Sequence, residues 1–253
     1  TEDGAKLLGV TPGTPVLLSN PDGAMNQTGS GGLKSGVMTV SVGTSSALRM
    51  SVANAVLPEE PHTWCYLSPK GYLAGAAISG GCSSIEWFRE KIAQNAPYEQ
   101  LECREDVDTP VFLPFLYGER CPGENEERSG GFYGLKPYHD RRSMYQAVQE
   151  GVLFNLRQGY EELCRICGEP QGIRLSGGIL HSPEWSQMCA DIFEREISIE
   201  ENPQCSLQGG VVLAMDVLGC CPAEAFEAET KGIIVPLAEH TGHYREKYQR
   251  YLE

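Results

Sequence analysis

Positive charge is what this sequence has least of. Its 34 Asp and Glu outnumber 20 Lys and Arg, leaving a formal net charge of −14. Without a basic surplus there is no electrostatic grip on nucleic acid or on an anionic membrane surface. Phosphate groups stay within reach, because glycine-loop amides and helix N-termini hold them without a lysine. No apolar run approaches membrane-spanning length and no basic-then-apolar leader opens the chain. Neither an anchor nor a signal peptide is therefore expected, which favours the cytoplasm. The five histidines show no ligand spacing and read as surface or structural. No GxGxxG opens a helix after the first strand, which argues against an NAD-binding oxidoreductase. Fixed short repeats and low-complexity tracts are lacking too.

Cysteine is present, with ten residues, but scattered. Cys82 and Cys189 sit among small or apolar neighbours, where a thiol acts as a small hydrophobe. Cys164-Arg165-Ile166-Cys167 has CxxC spacing late in a helical pattern, with no second pair or histidine at zinc spacing. Free thiols are expected there rather than a metal or redox site.

The 253 residues, 41% of them hydrophobic, suffice for one large or two modest domains with a sizeable core. Residues 1–14 carry Gly, Thr and Pro punctuation and read as the end of a connection. An apolar, strand-like segment, Val16-Leu17-Leu18, runs into the isolated carboxylate of Asp22. At hairpin distance follows a second strand, Gly36 to Val42, ending in Gly43-Thr44-Ser45-Ser46. Further strands are expected at Ala47–Val52, Trp64–Leu67 and Tyr72–Ala76, the last two joined by the turn Ser68-Pro69-Lys70-Gly71. Ser83 or Ser84 is expected to cap a helix reaching Gln94, and a long loop from Tyr98 to Asp140 is interrupted by Val111–Leu116.

Met144, Val148, Val152, Leu156, Tyr160 and Leu163 form one apolar stripe on the longest helix, 143–167, which Gly168 and Pro170 end. Then come a strand at Gly172–Ser176, a Gly177-Gly178 turn, a helix at Pro183–Phe193 capped by Ser182, a strand at Ile197–Ile199, and a helix at Ser206–Leu218. A polar tail helix runs from His240 to Glu253. Hairpin strands followed by alternating helix and strand indicate an α/β layered domain.

Glycine permits close backbone approach, and a strand-to-turn amide cluster with hydroxyls is what a polyphosphate needs. Three stretches offer it: Gly43-Thr44-Ser45-Ser46, Gly177-Gly178, and Gly209-Gly210. Asp22-Gly23 with Gly29, the Val42-Gly43-Thr44-Ser45 strand end, Phe112 to Pro122, Gly130 to Leu135, Ala147 to Val152, Arg174 to Gly178 and Ser182 to Asp191 follow in that order. In that order they resemble the FGGY carbohydrate kinases, and the resemblance, spanning almost the whole chain, is to the C-terminal nucleotide-binding half.

That resemblance implies an α/β fold of the RNase H-like, actin and sugar-kinase type, a mixed sheet flanked by helices. It divides the chain into 1–35, the end of an N-terminal sugar-binding half and hinge that includes the catalytic Asp22, and 36–253, the nucleotide-binding domain. It implies ATP with Mg2+ as phosphoryl donor and Asp22 as the base that accepts the proton of the attacking sugar hydroxyl. Gly43, Thr44 and Ser45 would face the phosphates, Gly177 and Gly178 the α-phosphate and ribose, and Ser182 the adenosine. Gly81 and Glu86 fall where a helix start approaches the nucleotide, although Cys82 stands where glycine is frequent. Gly209 matches a helix glycine near the nucleotide, with close helix packing as the competing explanation. Glu119 and Arg120 match a loop of the family, where a structural ion pair competes with substrate contact.

No Asp-x-Gly-Thr loop occurs here, so the resemblance makes the N-terminal half a required partner, alongside a small-molecule sugar or sugar acid, and leaves room for a homodimer. Asp22-Gly23-Ala24 and Trp64-Cys65-Tyr66 followed by Gly75 look most like gluconate and xylulose kinases. A non-catalytic ATP-binding module of the same superfamily is the rival reading.

Overall fold

The computed structural model describes residues 1–34, 36–60, 62–101 and 108–253; the stretch 102–107 of the expected long loop lies outside the described residues. One seven-stranded mixed sheet organises the molecule. In chain order its strands are β1 (Val37–Val42), β2 (Ser46–Val52), β3 (Trp64–Leu67), β4 (Tyr72–Ile78), β7 (Gly172–Gly177), β8 (Ile197–Glu200) and β9 (Thr230–Ile234), and their spatial order is β3-β4-β2-β1-β7-β8-β9. The β1–β2, β2–β4 and β3–β4 pairs are antiparallel, while β1–β7 and β7–β8 are parallel. A separate ribbon pairs β5 (Val111–Leu113) with β6 (Gly131–Tyr133).

Alternation along the strands gives the sheet two different faces. Met38, Val40, Val42, Leu48, Met50, Ala74, Ala76, Ile78, Ile173, Leu175 and Ile197 point into the main core. The helices α4 (Arg141–Cys167) and α5 (Pro183–Phe193) cover them, and the stripe Val148, Val152, Leu156 and Leu163 is buried as its spacing predicts. Registered across the other face are Thr39, Arg49, Gly75 and Trp64, a row that is polar and aromatic. Two helices, α2 (Asp22–Gly29) and α6 (Cys205–Val217), pack against each other there. Gln27 of α2 ties them to the sheet: its amide donates to the carbonyl of Gly32 at 2.7 Å, and it accepts from Thr39 Oγ1 at 2.5 Å.

Several expectations change. Val16–Leu18 is not a strand: it pairs with nothing among the described residues, and Val16 and Leu18 stand 81% and 92% exposed. Asp22 does not close a strand but opens α2, with Pro21 holding the extended N-cap conformation. The connection at 1–14 contains a short helix, α1 (Glu2–Leu8), capped by Thr1. Neither Ser83 nor Ser84 caps the following helix, α3 (Cys82–Trp87), whose N-cap is Gly81. Its first amides are instead taken by the β1–β2 turn, Cys82 N donating to Gly43 O at 2.7 Å and Ser83 N to Thr44 O at 3.2 Å. The chain then widens into a π-helical turn over Phe88–Ile92. The predicted caps Ser182, which accepts from Trp185 N, and Gly168 hold. A final helix, α7 (Ala238–Leu252), matches the predicted tail.

Candidate functional site

Three glycine turns that lie far apart in sequence meet at one end of the sheet. Because β1 and β7 run parallel with Val42 opposite Gly177, the Gly43-Thr44-Ser45 turn and the Gly177-Gly178 turn both leave from carboxyl ends of neighbouring strands, where open α/β sheets place their ligand crevice. Gly81 joins them from β4. A methyl group on it would sit 2.5 Å from the Gly43 carbonyl and 2.9 Å from both Ser46 Oγ and Thr44 O, so only glycine lets α3 start directly on the first turn. Gly177 has φ of 98°, a left-handed conformation that disfavours any side chain, and it lies against the Val42 carbonyl. A side chain on Gly178 would fall 2.8 Å from Cys82 Sγ.

Around this junction lie three hollows. The largest, about 650 Å³, is lined by Cys82, Ile85, Tyr98, Gly178, Ser182 and Trp185, a size in the range of small-molecule pockets. Next to it, a hollow of about 380 Å³ carries Thr44, Cys82, Ser83 and Glu86. The third, of about 390 Å³, opens beside α2 and holds Asp22, Ser45, Arg49, Trp64, Tyr66 and Arg120. The exposed Thr44 and Ser45 thus face different hollows from one turn, and Cys82 borders two. Burial raises the Cys82 thiol above its ordinary value, so it stays a neutral, packing thiol.

Other sequence-predicted residues land as follows. Asp22 is exposed at the first turn of α2, its Oδ1 accepting from the Gly23 amide at 2.8 Å. Glu86 reaches the Thr44 hollow, but Arg89 (2.9 Å from Nε to Oε2) and the Tyr98 hydroxyl (2.7 Å) hold its carboxylate; these bonds pull its pKa down to about 2. Gly209 lines none of these hollows. It packs on the Met25 carbonyl of α2, with Gly29 N 3.1 Å from where its side chain would start, so helix packing and not ligand contact explains it. Glu119 is a buried partner of Arg128 at 2.7 Å, whereas its neighbour Arg120 is exposed beside Asp22.

Sequence reasoning does not single out Arg49, Trp64, Tyr98 or Trp185 as site residues. Period-two spacing puts Trp64 and Tyr66 on one face, but only the strand register reveals that Arg49 shares it. Cys164 and Cys167 are free thiols, each pushed up to about 11 by burial. No group of three His, Cys, Asp or Glu suited to a metal occurs among the described residues, and none of their helices is long and apolar enough to cross a membrane.

The mixed sheet, the helices on both its faces and the glycine-lined crevice at its parallel strand ends define an RNase H-like domain of the actin and sugar-kinase superfamily. The chain belongs to the FGGY family of carbohydrate kinases, whose C-terminal domain model matches residues 38–216. It is 30% identical over 232 residues to a gluconokinase of Bacillus licheniformis, covering 85% of this chain and 45% of that protein. Over 191 residues it is also 30% identical to a xylulose kinase of Escherichia coli, covering 72% and 39% respectively. In structure it matches a ligand-bound xylulose kinase from Lactobacillus acidophilus with a TM-score of 0.89 and 28% identity, across 99% of this chain and 53% of that one. The gluconate kinase of the same organism matches with a TM-score of 0.84 and 26% identity, across 100% and 53%. The chain therefore spans about half the length of these relatives. Sugar kinases of this family use ATP and a divalent metal.

Proposed function

We propose that this chain forms the nucleotide-binding half of an ATP-dependent carbohydrate kinase and carries its catalytic base, Asp22. The observation that supports this best is the Gly43-Thr44-Ser45 turn, which presents Thr44 to one hollow and Ser45 to the hollow of Asp22. A phosphoryl donor held on one side of that turn and an acceptor hydroxyl on the other would meet at its tip.

The residues fit a nucleotide. Side chains at Gly81, Gly177 or Gly178 would run into Gly43, Val42 or Cys82 and push apart the turns that border the crevice, and the hollow lined by Tyr98, Ser182 and Trp185 has room for an adenosine. ATP with Mg2+ would supply the γ-phosphoryl group. Gly43, Thr44 and Ser45 would hold phosphate oxygens, Gly177 and Gly178 would admit the α-phosphate and ribose, and Glu86 would border the site through its Arg89 pair. Because the described residues offer no three-ligand metal cage, the metal would come with the phosphates and keep its waters. Asp22 takes the proton of the acceptor hydroxyl; being exposed, its carboxylate can approach an oxygen without moving α2. Residues 1–35 would act as the hinge, with α2 riding on the nucleotide-side body and the acceptor, a sugar or sugar acid, held against it by a complementary N-terminal half.

Replacing the base tests this. In the complete enzyme Asp22→Asn should cut kcat by about a hundredfold or more and leave the ATP dissociation constant within about twofold. Sugar turnover at the original rate would point to another base, whereas ATP binding with no sugar turnover in the unsubstituted complete protein would favour the non-catalytic ATP-binding module.

A further inference from the structure

The hollow that Asp22 shares with Ser45 is cationic in a chain of net charge −14. Of its described lining residues, Arg49 and Arg120 are cations and Asp22 alone is an anion. Arg49 is built in. It projects from β2 in register with Thr39 and Gly75, Nη1 donates to Ser41 Oγ at 3.0 Å, and the guanidinium passes under the first turn of α2. A methyl group on Gly23 would lie 2.8 Å from Arg49 Nε and 2.9 Å from Tyr66 Oη. Arg49 Nε is buried and donates to nothing, and no carboxylate among the described residues is within ion-pair distance of this guanidinium. Burial lowers its pKa, against the opposing pull of Tyr66 and Asp22. Beside it, Tyr66 stacks on Trp64 with ring centroids 4.6 Å apart and planes 12° from parallel. Gly75 makes room for this wall: any side chain there would enter the Trp64 ring.

A half-buried guanidinium that no carboxylate of the described residues pairs costs stability unless an anion completes it. Its planar fork suits a carboxylate or a phosphoryl group, both of which it can bind through two parallel hydrogen bonds. We infer that this anion is a carboxylate of the acceptor: the hollow reads a sugar acid in preference to a neutral sugar, Arg49 with Tyr66 is the reader, and the Trp64–Tyr66 wall lies along the polyol chain. This rests on the kinase reading above. The rival source of the same anion chemistry is the transferred phosphoryl group.

The test compares gluconate with D-xylulose as acceptors for the complete enzyme at saturating Mg-ATP, in wild type, Arg49→Met and Arg49→Lys. Wild type is expected to favour gluconate in kcat/KM. Arg49→Met should reduce that preference by about tenfold or more, chiefly through KM for gluconate, and Arg49→Lys, which keeps the charge but not the fork, should fall between. Equal losses on both acceptors, or a raised KM for ATP, would assign Arg49 to the phosphoryl group and overturn the inference. If thermal unfolding shows that Arg49→Met does not fold, Tyr66→Phe removes a single oxygen and should lower the same preference by a smaller factor; an unchanged preference counts against the proposal. Wild-type turnover of D-xylulose in preference to gluconate defeats the acid reading and spares the kinase. Turnover of no aldonate, ketose or polyol defeats the kinase reading itself.

Discussion

Glu200 ends β8 with its carboxyl buried and Oε1 lacking a hydrogen-bond partner. Burial pushes its pKa up to about 7 from an ordinary 4.5, against the pull of Arg174. The native state thus keeps this proton between pH 4.5 and 7 while the unfolded chain has released it. With more protons bound in the native state, stability falls as pH rises through that window and stays lower above it. Glu200→Gln, which is neutral throughout, should flatten this part of the profile. Measured by thermal unfolding across pH, its midpoint should exceed that of wild type at pH 8 and match it near pH 4.5. An equal gain at both would mean that the amide packs better for reasons unrelated to the proton. Residues of this kind were invisible in the sequence: Glu200 follows a short apolar strand and looks like any solvent-facing acid. Asp22 stands out in the sequence because its neighbours are small and neutral, whereas Arg49 is hidden in an ordinary strand.

Between elements, the contact of α2 with α6 decides where Asp22 sits. The two helices approach so closely that Gly29 of one lies on the Cys205 carbonyl and Gly209 of the other on the Met25 carbonyl. Even a methyl group must push the backbones apart. Gly209→Ala should therefore cost about 1–3 kcal/mol, read as a lower midpoint in urea unfolding, and an unchanged midpoint would show that the helices separate freely. Ser206 Oγ contacts the Asp22 carbonyl at 3.4 Å, so displacing α6 also displaces the proposed base. At the far side, α7 is fastened by a buried ion pair: Lys247 Nζ lies 2.8 Å from Glu150 Oε1 and 2.6 Å from Thr109 Oγ1. Thr109 and Gln146 satisfy the remaining carboxylate positions, as a buried charge requires. Element boundaries were read well where periodicity is long, as in α4, and poorly where a partner supplies the reason for the element. Three-residue β6 exists because β5 pairs with it, and α3 starts at Cys82 because the carbonyls of Gly43 and Thr44 are there to receive its amides.

For the whole molecule, the Asp22 hollow is open to solvent, with Asp22, Ser45 and Arg120 exposed, and phosphoryl transfer, the reaction proposed above, is catalysed mainly by positioning and by a site that excludes water. The 253-residue chain by itself should consequently bind ATP, detectable by calorimetry, and release no ADP in response to gluconate or D-xylulose. Steady acceptor-dependent ADP release from this chain would mean that it closes its own active site. Leu7 (87%), Val16 (81%) and Leu18 (92%), all ahead of α2, stand exposed outside the core of this body.

Short-range pattern in the sequence carries the local features. It set the period-two strands from Val37 to Ile78, the stripe and caps of the long helices, the glycine turns and the isolated Asp22, because each depends on residues a few positions apart. The tertiary structure decided which of these meet. The parallel pairing of β1 with β7, across 135 residues, brings Gly177 to Val42 and so assembles a crevice from turns that are individually commonplace. The same long-range register places Arg49 and the Trp64–Tyr66 pair under α2 and assigns Gly209 to helix packing. Backbone approach and side-chain burial at these points depend on partners distant in the chain, and no local pattern encodes them.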